Sequence, residues 1–181
     1  MGGVRWASDQ ADARLAPLGL RWHHVQGVVR QARMIGAALS TSEAQCLIAA
    51  AYLHDIGWAP ELADTGFHPL DGGRWLRGQR FERLSCLVAH HSASRFEAHL
   101  RGVGHLLSAF DLEESATSDA LTYCDVTTGP TGELVTPEER WAEIIDRYGE
   151  DNVVAVALRQ ARPSLEVAVA RTQARLLTIE A

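Results

Sequence analysis

The sequence feature that most constrains this chain is an uncharged helical run that ends in an adjacent imidazole and carboxylate. Residues 46–53 are apolar and rich in alanine, His54 and Asp55 follow directly, and Gly57 and Pro60 then stop the helix. A charge at the buried end of such a helix is costly unless it is paired or binds a metal. Neighbouring helical positions point about 100° apart, so these two side chains do not grip one ion as an i, i+4 pair does. Partners from other helices must therefore lie opposite Asp55.

Apolar residues recur at helical spacing through most of the chain, and no stretch alternates with period two over a useful length. Caps, prolines and glycines divide the pattern into helices. The predicted helices span residues 8–18, 22–39, 41–55, 68–76, 81–92, 94–110, 115–127, 137–148, 151–161 and 163–178. The predicted fold class is all-α. We expect one domain over residues 1–181, with residues 137–181 packed as C-terminal helices on a core formed by residues 18–130.

Composition excludes several classes of function. A net charge of -6 argues against a general nucleic-acid or membrane surface, and no apolar stretch approaches the length of a membrane span. The N-terminus lacks the apolar region of a secretory signal. The three cysteines are widely spaced within apolar helical segments, which is typical of reduced thiols. We therefore expect a cytoplasmic protein. A small phosphorylated partner remains compatible with the charge, because a metal can supply local positive charge.

Potential metal ligands occur on several different predicted helices. Imidazole and carboxylate are ligands that divalent transition metals favour. Taken singly, each of these residues is more simply a hydrogen-bonded core histidine or a helix cap. Taken together, their order along the chain, H…HD…H…HH…D, predicts a metal site. The residues are His24, His54, Asp55, His68, His90, His91 and Asp125.

This order resembles the HD-domain superfamily over roughly residues 18–130, and the most specific part of the resemblance is Leu53-His54-Asp55-Ile56-Gly57. The resemblance implies an HD-domain helical bundle with additional C-terminal helices. It implies one or two divalent transition metal ions, drawn from Fe, Mn, Co, Ni and Zn. His24, His54, Asp55 and Asp125 would bind the first ion, and His68 and His90 the second, with Asp55 as the bridge. His24 is preferred to His23 because Val25 follows it, as in the family pattern.

The resemblance also implies an activity. A metal-activated hydroxide would hydrolyse a small phosphoester or a nucleotide, with Asp55 and His91 as the catalytic residues. In this assignment His90 is the ligand, and its neighbour His91 orients the substrate or the leaving group. We expect Arg95, Trp58 and Thr128 to contact the substrate.

Two alternatives stay open at this point. The chain departs from the cyclic-dinucleotide-degrading HD-GYP branch, because Trp58 stands in place of its lysine and the GYP segment is absent. The mixed-valent diiron oxygenases of the HD fold share the six-ligand layout, and they give the first alternative. The second alternative is a non-catalytic module that keeps a metal for structure.

Overall fold

The computed structural model describes residues 3–178 and confirms the predicted all-α class. Within those residues the chain contains no strand, and one isolated bridge joins Thr128 to Leu134. The helices are α1 (Val4–Leu15), α2 (Leu20–Ile35), α3 (Thr41–Leu53), α4 (His68–Gly78), α5 (Glu82–His90), α6 (Arg95–Leu100), α7 (Gly104–Leu107), α8 (Ala116–Val126), α9 (Pro137–Tyr148) and α10 (Val153–Leu177). Short 3₁₀ turns at Ala16–Leu18, Gly36–Ala38, Ile56–Trp58, Pro60–Leu62 and His91–Ala93 link some of them.

The alanine-rich helix α3 lies at the centre of the bundle. It contacts α1, α2, α5 and α8, and its small side chains Ala49, Ala50 and Ala51 are buried. A helix that is apolar on all sides is one that a core surrounds, and alanine lets its neighbours approach closely. At the opposite end from Asp55, the Ser40 hydroxyl caps α3 by accepting a hydrogen bond from the Glu43 backbone N–H. The helix therefore carries the His54–Asp55 pair into the interior.

The predicted helix over residues 94–110 is wrong, because the chain turns between α6 and α7. Gly102 takes a positive φ of 75°. The N–H of Gly102 donates to the His99 carbonyl at 3.0 Å, and the N–H of Val103 donates to the Ala98 carbonyl at 2.9 Å. This pair of bonds is a Schellman motif, which satisfies the last carbonyls of α6 and ends the helix there.

The predicted break at Pro163 is also wrong, because α10 continues through it as one helix of 25 residues. Pro163 lies on the exposed side, where water can satisfy the carbonyl that loses its partner. On the opposite side Ala161 and Leu165 are buried and hold the helix against the bundle. Packing thus outweighs the local cost of proline. No helix within residues 3–178 has the length and apolar character needed to cross a membrane.

Candidate metal centre

A glycine brings the His54–Asp55 turn against the start of α4. A Cβ at Gly57 would lie 2.0 Å from the His68 carbonyl oxygen and 2.7 Å from the Gly72 nitrogen, so only glycine permits this approach. As a result, the Nε2 atom of His68 lies 3.2 Å from Oδ1 of Asp55. Two segments that are separated by a loop in the sequence therefore meet at one carboxylate.

A second close approach forms the other side of the centre. A Cβ at Gly27 would lie 2.5 Å from Cγ2 of Thr128, so α2 packs directly against the loop that follows α8. His24 is buried there, with Nδ1 3.2 Å from the Gly129 carbonyl and Nε2 3.0 Å from Oδ1 of Asp125. Because a carbonyl only accepts, Nδ1 carries a proton. A neutral His24 then turns the lone pair of Nε2 toward a carboxylate, an arrangement that a shared cation relieves.

The candidate ligands form two groups that share one residue. His24, His54 and Asp55 make the first group, and Asp55, His68 and His91 make the second. In each group, one ligand atom from every member lies within 4.8 Å of the others. A carboxylate has two oxygens, so Asp55 has the chemistry of a bridge between two ions. The bridging role itself stays a prediction.

Two of the imidazoles are oriented in the same way. The Nδ1–H of His54 donates to the Ala51 carbonyl at 2.8 Å, and the Nδ1–H of His91 donates to the Val88 carbonyl at 2.6 Å. Each acceptor lies three residues before its histidine, at the end of the preceding helix. These bonds leave Nε2 unprotonated when the ring is neutral, as a metal ligand requires.

The Nε2 atom of His54 is buried and has no hydrogen-bond partner. Buried polar atoms in folded proteins are nearly always paired, so an unpaired one demands an explanation. Its lone pair lies in the group that includes Asp55 and His24. The residues present therefore fit a divalent transition metal, which would satisfy this nitrogen.

The protonation states also suit a cation. Burial alone would raise the pKa of Asp55, but the Arg21 guanidinium, 2.6 Å from Oδ2, helps to hold that pKa well below its usual range. Burial also acts to raise the pKa of Asp125, and the neighbouring imidazole of His24 leads the effects that keep it low. Burial lowers the pKa of His68 to about 4, although Asp55 opposes this change. At neutral pH the site thus presents ionised carboxylates and a neutral His68 imidazole, the forms that bind metals.

The structure brings His91, and not the predicted ligand His90, into the second group. The Nε2–H of His90 donates to the Phe110 carbonyl at 2.8 Å, and His90 lines a separate surface depression that His91 also borders. Helix α5 ends at His90, and Ser92 and Ala93 then take positive φ values of 49° and 56°. This left-handed turn directs His91 toward His54 and His68, with ring centroids 5.3 Å from each. It also lets the Ser92 hydroxyl donate to Asp125.

The three residues predicted to contact substrate have different positions. Trp58 lines the cavity over the cluster and stacks on His68, with ring centroids 4.7 Å apart. Arg95 lies at the neighbouring depression and donates to the Ser164 hydroxyl at 3.0 Å, outside the lining of the cavity over the cluster. The Thr128 side chain is buried, and its hydroxyl donates to the Cys124 carbonyl at 2.7 Å. The substrate contacts of these two residues stay predictions.

The cavity has a volume of about 190 Å³ and extends from the cluster to the C-terminal helices. Helix α9 contributes five side chains to its lining, and sequence reasoning missed all of them. Their spacing of i, i+1, i+4, i+7 and i+8 is a helical stripe, so the periodicity of α9 was the available signal. These residues are Arg140, Trp141, Ile144, Arg147 and Tyr148.

Comparison with known proteins identifies one family. A protein-family model described as "HD domain" matches residues 21–151, a range that includes every cluster residue and α9. Neither the curated proteins nor the solved structures gave a match.

Proposed function

The chain belongs to the HD-domain family, and on that premise we propose that it is a metal-dependent phosphohydrolase of small phosphoesters. The observation that carries the proposal is the pair of ligand groups joined at Asp55, with the unpaired Nε2 of His54 between helices and a cavity above them. Mixed imidazole and carboxylate donors suit Mn, Fe, Co, Ni or Zn better than Mg or Ca alone.

In this proposal His24, His54, Asp55 and Asp125 hold one ion, and Asp55, His68 and His91 hold a second. His91 thus takes the ligand role that the sequence had assigned to His90. Divalent ions in such a site activate a water molecule for attack and offset charge on a phosphoryl group.

The surrounding residues of the chain have separate tasks. Arg21 lines the cavity at Asp55, and its guanidinium is suited to bidentate binding of phosphoryl oxygens. Trp58 contacts both the Arg21 guanidinium, 4.8 Å from its ring centroid, and the His68 ring, and so restricts both. The Ser92 hydroxyl fixes one oxygen of Asp125, leaving the other beside His24. In this proposal these contacts orient the ligands, and Arg21 is the cation that meets the phosphate.

The test is release of inorganic phosphate from a panel of aryl, alkyl, sugar and nucleoside monophosphates. Chelator-treated protein is supplied in turn with Mn²⁺, Fe²⁺, Co²⁺, Ni²⁺ or Zn²⁺, and oxygen uptake is recorded in parallel. We expect phosphate release that depends on the added metal and not on oxygen. Oxygen uptake without phosphate release would overturn the proposal in favour of a diiron oxygenase. Metal binding without either reaction would favour a non-catalytic module.

A further inference from the structure

The cavity over the cluster has an apolar surface among its lining, formed by the C-terminal helices. Helices α9 and α10 provide this surface, which we call the apolar wall: Trp141, Ile144, Leu158 and Leu165. Trp141 and Leu165 are anchored in a small core with Val126 of α8, and Leu158 packs against that core. The wall is therefore part of a fixed structure. It faces the same cavity as Asp55 and His91.

Two arginines border the wall. Arg140 and Arg147 both line the cavity, and both pair with the Glu143 carboxylate. Arg140 is 7% exposed, which is uncommon for arginine. Arg21 is the cation near the ligand groups, and Arg140 and Arg147 are the cations on α9. Apolar side chains of α9 and α10 line the same cavity.

The chemistry of the wall limits what can lie against it. Among its four residues, the indole N–H of Trp141 is the one side-chain polar group, and it is buried without a partner. A sugar pressed against such a surface would lose the hydration of several hydroxyls and gain few hydrogen bonds in return. An alkyl or aryl group would instead gain from removal of its surface from water.

We propose that the apolar wall binds the organic group of the substrate, and that the substrate is a phosphomonoester with an apolar alkyl or aryl group. This inference rests on the proposed function for the position of the phosphate, and it adds the class of the esterified group. The phosphate lies at the cluster beside Arg21, and the apolar group extends toward α9 and α10.

The experiment measures kcat/KM for straight-chain alkyl phosphates from ethyl to hexyl in the Mn²⁺-supplied full chain. Glucose 6-phosphate and AMP serve as polar comparisons. We expect kcat/KM to rise about fourfold for each added methylene, in line with the usual gain from burying that group. Both polar substrates should be slower than hexyl phosphate. A flat or falling series, or a preference for a polar substrate, would overturn the inference.

Substitutions test whether the apolar wall causes the dependence of kcat/KM on chain length. Leu158→Asn places a polar group on the wall at a partly buried position and should flatten the chain-length series. Val167→Asn is the matched control, because Val167 lies on the same helix, is 47% exposed and does not line this cavity. It should retain the wild-type slope. Equal slopes in the two variants would contradict a role for the wall.

A binding measurement separates this inference from the proposed function. Calorimetry with the corresponding alkylphosphonates, which are not hydrolysed, reports affinity without turnover. A rise in affinity with chain length that Leu158→Asn removes would show that the apolar wall binds the organic group. That result would hold even if no phosphate ester is cleaved and the proposed function fails. Turnover of phosphate esters without any such rise in affinity would support the proposed function and contradict binding of the organic group at the apolar wall. Absence of both turnover and binding would overturn both.

Discussion

The cavity has two unlike sides, and each is built from a different part of its helices. On the cluster side, helix ends deliver the polar groups: His54 and Asp55 follow α3, His68 begins α4, and His91 follows α5. On the opposite side, α9 and α10 present the faces of continuous helices. A helix end directs side chains and free backbone groups to one point, whereas a helix face makes a surface. The comparison suggests that chemistry belongs to the first side and selection of the substrate to the second.

The largest effect should come from removing the charge at the point where the two ligand groups meet. We expect Asp55→Asn to lose bound metal and about 1,000-fold in the rate of phosphate release, because both groups share this carboxylate. Metal analysis and the phosphate assay check this. Asp119→Asn is the control, since Asp119 is a buried acid that pairs with Arg175 at 3.0 Å outside the cluster. Retention of full metal content by Asp55→Asn would contradict the assignment.

The second-largest effect should come from Gly57, where the turn after α3 packs closely against the backbone of α4. Gly57→Ala should lower the free energy of unfolding by about 3 kcal/mol, because the added methyl group would meet backbone atoms of α4 that cannot move independently. Gly78→Ala, at the end of the same helix, meets nothing within 4 Å and should be neutral or slightly stabilising. Urea unfolding of both variants measures the difference. Equal stability of the two would show that α4 is not held by this contact.

A smaller effect follows from the buried histidine at the start of α4. The pKa of His68 is about 4 in the folded chain against an ordinary value of 6.5. Between these two values the unfolded chain binds a proton that the folded chain does not, so the free energy of unfolding falls as pH decreases from 6.5 to 4. Denaturation of chelator-treated protein at several pH values should show this decline. His68→Gln should make the decline shallower, and an unchanged slope would contradict the burial of a neutral imidazole.

The smallest effect should come from the other end of α3, far from both sides of the cavity. Arg83 binds Glu43 and Glu113 there, at 2.6 Å and 2.8 Å, and Glu43 also accepts from the Thr117 hydroxyl. These acids are partly exposed, and exposed ion pairs contribute little. Glu43→Gln should lower the free energy of unfolding by about 0.5 kcal/mol and leave metal content and turnover unchanged. A loss of metal in this variant would show that the two ends of α3 are coupled.

Much of the cluster side could be predicted from the sequence. An apolar helix that ends in His54 and Asp55 needs a partner or a metal beside its buried charge. The order of the other histidines and acids indicated which helices surround it. The structure brings His24, His68 and Asp125 to the same centre. The position of His91, rather than His90, beside Asp55 could not be predicted, because it depends on positive φ values at Ser92 and Ala93, and neither residue type indicates such a turn.

The opposite side was harder to predict. The stripe on α9 reads as an ordinary amphipathic helix, since the periodicity gives a buried face but not what that face contacts. Pro163 was interpreted as a helix start, because local rules omit the packing of Ala161 and Leu165 that holds α10 together. Arg95 stood close to the histidines in sequence, but the turn after His91 directs it to a different depression. The positions of the α9 stripe, Pro163 and Arg95 depend on how the helices pack in the folded chain, and residue type alone does not indicate this.

The most direct test of the central claim is the metal content of His91→Ala and His90→Ala beside the wild-type chain. All three are purified without chelator under anaerobic conditions and analysed for transition metals per chain. We expect about two ions in the wild type and in His90→Ala, and about one in His91→Ala, because His91 lies in the Asp55 cluster and His90 bonds the Phe110 carbonyl instead. Loss of metal from His90→Ala, with both ions retained in His91→Ala, would contradict it.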